Sequence, residues 1–283
     1  MLKLSKIAAS LILFLNSPAP LSQLSQADYP AMPSGWSVYP SDRVNSVTPA
    51  CLSSSPQAWR VSVEGNALTI VEYKPSEPEQ PMLPPEFKLK PEWLRGRRHL
   101  LRLADGWLIG IDAGEWGGGL WITNDDGSLS RKIVKDNVRG IVPTSEGIVV
   151  LSGFAHMGMD FGNARFFSTP NGLSTALRFS VRLDGAPRAY AKESDGNVLF
   201  VTTEGLSRVN KNGELQALAR LPKWTKFQYA NSMAILSDGS VFVGMRMFVL
   251  RLSPSSDGYT QQWLLPVECR AFHVEPGDCV CAP

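Results

Sequence analysis

Tight turns made of an acidic residue and a glycine recur along this chain at nearly constant spacing. That spacing constrains the fold more than any other feature. The turns fall at Glu64-Gly65, Asp105-Gly106, Glu146-Gly147, Asp195-Gly196 and Asp238-Gly239, with Pro276-Gly277 as a sixth. Their glycines stand 41, 41, 49, 43 and 38 residues apart. Asp-Gly supplies the positive φ that a tight hairpin needs. A second set of turns (Asp126-Gly127, Asn171-Gly172, Asn212-Gly213, Asp257-Gly258) follows 21, 25, 17 and 19 residues after the first glycine of each unit. Short apolar runs join them, as in WLIGID, LWITND and SLSRKIV between Gly106 and Val134. Each unit therefore reads strand A, turn, strand B, variable loop, strand C, turn, strand D. A repeat of that length with four strands predicts an all-β chain folded as a β-propeller of four-stranded antiparallel blades. A sandwich would also give short strands and turns but has no reason to keep the period.

Six turns predict six blades, with five as the alternative if the last repeat is only a tail. Residues 268–283 hold chain for only two strands, so the segment 28–56 is expected to complete that blade and close the ring. The domain plan is then a signal peptide over 1–27, an N-terminal segment over 28–56 and the propeller over 57–283. The leader pattern is Lys3 and Lys6, an apolar run from Ile7 to Leu15, and Ser25-Gln26-Ala27 with small residues at −3 and −1. It is too short to span a bilayer, which predicts a secreted or periplasmic protein with no transmembrane segment after cleavage at Ala27. Losing Lys3 and Lys6 leaves 26 basic residues against 26 acidic ones. That balance gives no reason to expect nucleic acid or an anionic membrane as partner.

In an exported chain, Cys51, Cys269, Cys279 and Cys281 read as disulfide partners. The expected bridge joins Cys51 to the C-terminal group, most simply Cys279 or Cys281, across the ring closure. Residues 75–91 hold six prolines and predict an irregular surface crossing.

Strands in a meander alternate direction, so the A–B and C–D turns share one face and the B–C and D–A loops share the other. The second face carries the long loops GEWGGG (114–119), GFAHMGMDFGNA (153–164) and PKWTKFQYAN (222–231), and loops on a rigid scaffold are where function usually resides. The candidate ligand-binding residues are Glu115, Trp116, His156, Asn231 and Arg246. Glu115 and Trp116 stand among four glycines. His156 offers a base or metal ligand, with Asp160 as a partner four residues on. Arg246 can hold an anionic group. Trp224 and Tyr229 read as loop packing rather than a sugar platform. Ser152 and Ser232 have no nucleophile elbow and no paired histidine.

The run Ala230–Gly244, ANSMAILSDGSVFVG, resembles the repeat of sugar-lactone lactonases and strictosidine-synthase-like propellers. The resemblance implies a divalent cation held by asparagine in the channel, and only Asn231 matches that role. Ala230 and Ser232 replace the family's proline and glycine, and the other A strands show no matching ligand set. Residues 51–283 also resemble a group of uncharacterised secreted bacterial proteins in GEWGGGLW, AHMG, GMR and the Cys-x-Cys tail. Together these readings predict a monomeric propeller that binds a small molecule, glycan or protein through its long-loop face. The alternative is a lactonase-like hydrolase or lyase at the channel. No cofactor is expected, with a calcium or zinc ion as the alternative.

Overall fold

The computed structural model describes residues 32–39, 57–65, 67–74, 81–221 and 229–267. The chain falls into two compact units, Met1–Ala31 and Met32–Pro283, and every described residue belongs to the second. The leader and all four cysteines lie outside the described residues, as do Trp224 and the strands expected from 268–283.

Nineteen strands are described: β1 (Trp36–Tyr39), β2 (Trp59–Glu64), β3 (Ala67–Glu72), β4 (Arg97–Leu103), β5 (Gly106–Asp112), β6 (Gly118–Thr123), β7 (Ser130–Val134), β8 (Val138–Thr144), β9 (Gly147–His156), β10 (Met159–Phe167), β11 (Leu177–Leu183), β12 (Ala189–Lys192), β13 (Val198–Val201), β14 (Gly205–Val209), β15 (Leu215–Arg220), β16 (Ser232–Ile235), β17 (Val241–Gly244), β18 (Val249–Ser255) and β19 (Gly258–Pro266). Eighteen of them form the meanders β4–β7, β8–β11, β12–β15 and β16–β19, plus the hairpin β2–β3, each pairing within these antiparallel and between strands consecutive in sequence. The acidic-Gly turns sit where the spacing put them: Glu64↔Ala67 closes β2–β3, Leu103↔Gly106 closes β4–β5 and Thr144↔Gly147 closes β8–β9.

The core lies between sheets rather than within one. Leu108, Leu120 and Ile122 of the β4–β7 sheet pack on Val138, Ile141 and Val150 of the next. Val149, Leu151 and Phe166 then meet Val198 and Phe200. Leu199 and Leu206 meet Met233, Val241 and Val243. Ala234 and Phe242 meet Val61 of β2. The β8–β11 and β12–β15 sheets thus bury both faces against the sheets before and after them, and β16–β19 packs between β12–β15 and the β2–β3 hairpin, which is the packing of propeller blades. It explains why the central strands read as unbroken apolar runs rather than alternating ones; β5 is buried at all of its first six positions.

One expectation changes. The part of the N-terminal segment that is described, β1, adds to the outer edge of the last described sheet, pairing Trp36↔Pro266 through Tyr39↔Trp263 with β19. The described residues hold five sheets. An unpaired edge strand leaves a row of backbone groups open, and β1 covers that of β19. The proline-rich crossing is also more than surface. Its described part sets Phe87 and Trp93, the latter 0% exposed, against Trp107, Ile109, Ile111 and Trp121 on the free face of the β4–β7 sheet. That face is too apolar to be left in water, and these two rings plug it.

Candidate functional site

The long-loop end of the blades is built by three local devices. The first is the glycine-rich stretch after β5, which forms one 3-10 turn over Gly114–Trp116 with Gly114 at φ 59° and Gly117 at φ 88°. Asn137, buried at the head of the next blade, staples it. The Asn137 Oδ1 accepts from the Ala113 N–H at 3.1 Å, and its Nδ2 donates to the Gly114 carbonyl at 2.8 Å. Gly118 is required here because a Cβ would lie 2.3 Å from the Ile111 carbonyl oxygen and 2.6 Å from Asn137 Oδ1.

The second device is the stretch 153–164. It is not an open loop but the crown of the β9–β10 hairpin, whose ladder runs on to His156↔Met159. Met157 and Gly158 form its two-residue turn, with φ 48° and 84°, and two successive positive φ values are what the twist of a tight hairpin favours. Pairing with β8 reaches only to Ser152 of β9, and pairing with β11 only to Gly162 of β10, so the crown projects past its own sheet. The third device is a pair of left-handed residues, Tyr229 (φ 48°) and Met247 (φ 69°). A large side chain at positive φ is uncommon and carries local strain. Of the non-glycine residues in this conformation among the described residues, all three lie at this end.

These devices bring some of the expected residues together and separate others. Glu115 and His156, from neighbouring blades, approach to 3.5 Å between Oε2 and Nε2, both about half exposed. His156 and Tyr229 line one cleft of about 470 Å³, with Met159, Asp160, Arg188, Thr203 and Glu204. Arg246 stacks on Tyr229, its guanidinium carbon 4.7 Å from the ring centre. Trp116, 80% exposed, turns instead toward a separate recess beside Arg95, Gly96 and Asp112. Asn231 stands before β16; its Oδ1 accepts from the Ser232 hydroxyl at 2.8 Å, while its Nδ2 is buried without a partner among the described residues.

Asp160 does not pair with His156. In the β9–β10 ladder it faces Ala155, and its carboxylate accepts the Ala186 N–H at 2.7 Å and the Thr203 hydroxyl. Ser152 is fully buried and bonded to Arg165, which leaves it unavailable as a nucleophile. Tyr229 is half exposed with guanidinium groups beside it, so it is part of the cleft and not loop filling.

Three further residues of this end are not among the candidates. Arg139 pairs with Asp112 at 2.7 Å. Arg188 lies with its guanidinium carbon 5.5 Å from the Tyr229 ring centre. Burial pulls its basicity below the ordinary guanidinium value; nearby Asp160 works against that, and Arg139 adds to it. His99, in the channel-side strand β4, is held down to about 3 by burial first and then by Arg97 and Arg139. Among the described residues no three His, Cys, Asp or Glu side chains gather as ligands for a metal ion. No helix among them is long and apolar enough to cross a membrane.

The architecture is a β-propeller, read here from its own strand order and inter-sheet packing. No family model matches the sequence, and no curated protein does. Among solved structures the chain is similar to virginiamycin B lyase from Staphylococcus aureus, with 13% identity over 59% of this chain and 55% of that one, at TM-score 0.39. A gluconolactonase from Xanthomonas campestris gives 15% identity over 59% and 55%, at 0.36. A luciferin-regenerating enzyme gives 10% identity over 77% and 79%, at 0.43. The match spans about half the length of the lyases.

Proposed function

We propose that this protein is an exported β-propeller that binds a small ligand in the cleft at its long-loop end. The observation that carries the reading is the convergence of His156, Asp160, Arg188, Thr203 and Tyr229 on one cleft from two successive blades and the segment that precedes a third. A volume of about 470 Å³ suits a small molecule, and such sites combine an apolar wall with a few placed polar groups. The rim supplies that wall: Met157, Met159 and Tyr229 are 87%, 55% and 50% exposed, large apolar groups that cost free energy in water unless a ligand covers them. Glu115, across from His156, extends the rim. Export is proposed from the leader pattern between Lys3 and Ala27.

A thermal-shift screen of small molecules and glycans on the purified protein tests the reading. Compounds that raise the melting temperature should lose at least about tenfold in affinity, the equivalent of roughly 1.4 kcal/mol, in His156→Ala and Tyr229→Ala. Both variants should melt close to the parent. Hits that bind the variants as tightly as the parent would place the ligand elsewhere, and variants that unfold would make these residues structural.

A further inference from the structure

Around that cleft the charges are arranged asymmetrically; Arg188 lines it, and Arg246 adjoins it through Tyr229. On the hairpin side the acidic groups already have partners. Each carboxylate oxygen of Asp160 accepts one hydrogen bond, from Ala186 N–H and from the Thr203 hydroxyl, and Glu115 faces His156. On the Tyr229 side the reverse holds. The guanidinium carbons of Arg188 and Arg246 lie 5.5 and 4.7 Å from the centre of the same ring, so they are no farther apart than the sum of those distances. Neither lies within ion-pair distance of a carboxylate among the described residues. The Arg188 Nε is buried and has no hydrogen-bond partner among the described residues, and a buried donor left unmade is costly. Glu204 also lines the cleft, and Asp160 is near enough to Arg188 to be felt electrostatically. Arg139, whose own carboxylate is Asp112, adds further positive potential at Arg188.

Two neighbouring guanidinium groups repel each other, and stacking on an aromatic face offsets only part of that cost. A fold that holds both half-buried beside one ring, with Tyr229 itself left-handed (φ 48°) and Arg246 next to left-handed Met247 (φ 69°), keeps them preorganised for a negative charge. Guanidinium groups recognise the paired oxygens of carboxylate and phosphate in a fork-to-fork geometry that a lysine cannot reproduce.

We propose that Arg188 and Arg246 form an oxyanion clamp over Tyr229, which takes the carboxylate or phosphate of a small organic anion. The rest of that ligand lies against Met159 and His156. The assignment deepens the ligand-binding reading above and rests on it.

The test is isothermal titration of the full purified protein with citrate and, separately, with inorganic phosphate, at low and at raised salt. One or both should bind, more weakly as salt rises, and the pair of probes tells a carboxylate site from a phosphate site. Arg188→Gln and Arg246→Gln should each weaken the binding by about 10- to 150-fold. Arg188→Lys, which keeps the charge and loses the fork, should fall between parent and Arg188→Gln. Binding of neither anion to the parent, or binding unchanged in both glutamine variants that still melt as the parent does, overturns the clamp. A neutral screening hit that needs His156 but not Arg188 or Arg246 also overturns it, and leaves the wider ligand-binding reading standing. If no compound of either kind depends on the cleft, that reading falls as well.

Discussion

His99 is a residue whose protonation the fold resists, and the effect can be worked out. It sits in mid-β4, opposite Gly110 of β5, with Arg97 two positions before it and Arg139 reaching toward it from the next blade. Burial and these two cations lower its pKa from 6.5 to about 3. The folded-state value is the depressed one, so between those two pH values the unfolded chain carries a proton that the folded chain refuses. Stability is therefore unaffected by this residue above about pH 6.5. It falls as the pH drops through that value and levels off only near pH 3. The slope is at most about 1.4 kcal/mol per pH unit, which gives about 1 kcal/mol by pH 5.5 and about 3 kcal/mol by pH 4.5. For a domain of this size 3 kcal/mol corresponds to a fall of roughly 6–12 °C in melting temperature. Native carboxylates in ion pairs also lose their contribution in acid, so the informative quantity is the difference between the parent and His99→Gln. Urea unfolding followed by tryptophan fluorescence at about pH 7, 5.5 and 4.5 measures it. The parent should lose stability faster than the variant across that range. Parallel losses, or a His99 imidazole resonance that titrates near its ordinary 6.5, would refute the reasoning.

Three further outcomes follow from the same geometry. Asn137→Ala removes both hydrogen bonds that hold the 114–116 turn. It should cost roughly 1–3 kcal/mol in denaturant unfolding and raise hydrogen exchange over residues 113–117. Gly118→Ala places a methyl group against the Ile111 carbonyl and Asn137; overpacking of that kind costs roughly 1–3 kcal/mol, read from the shift of the urea midpoint. Non-reducing peptide mapping should find Cys51 bridged to one of the C-terminal cysteines, Cys279 or Cys281 before Cys269, and a free Cys51 thiol would rule that out.

The blade plan was legible because it is written in local chemistry. Asp-Gly and Asn-Gly pairs fix where the chain reverses, and apolar runs between them fix what must be buried, so β2 to β7 and β16 to β19 fall where the repeat predicts. Stacking the repeats also marks part of the site. Asn137, Arg188 and Asn231 each immediately precede the first strand of a blade (β8, β12 and β16), and polar residues at one repeat position come to one level of the ring. Read singly, Arg188 looks like any surface arginine. Only the tertiary structure decided the rest. It paired Glu115 with His156 across two blades, turned Trp116 away from them, and gave the carboxylate of Asp160 to Ala186 and Thr203. It put β1 on the edge of β19 and set Phe87 and Trp93 into an otherwise open sheet face. Each of those outcomes depends on which side chains from distant repeats reach the same few ångströms. Hydrophobic period and turn residues do not encode that, because they act on the chain one neighbour at a time.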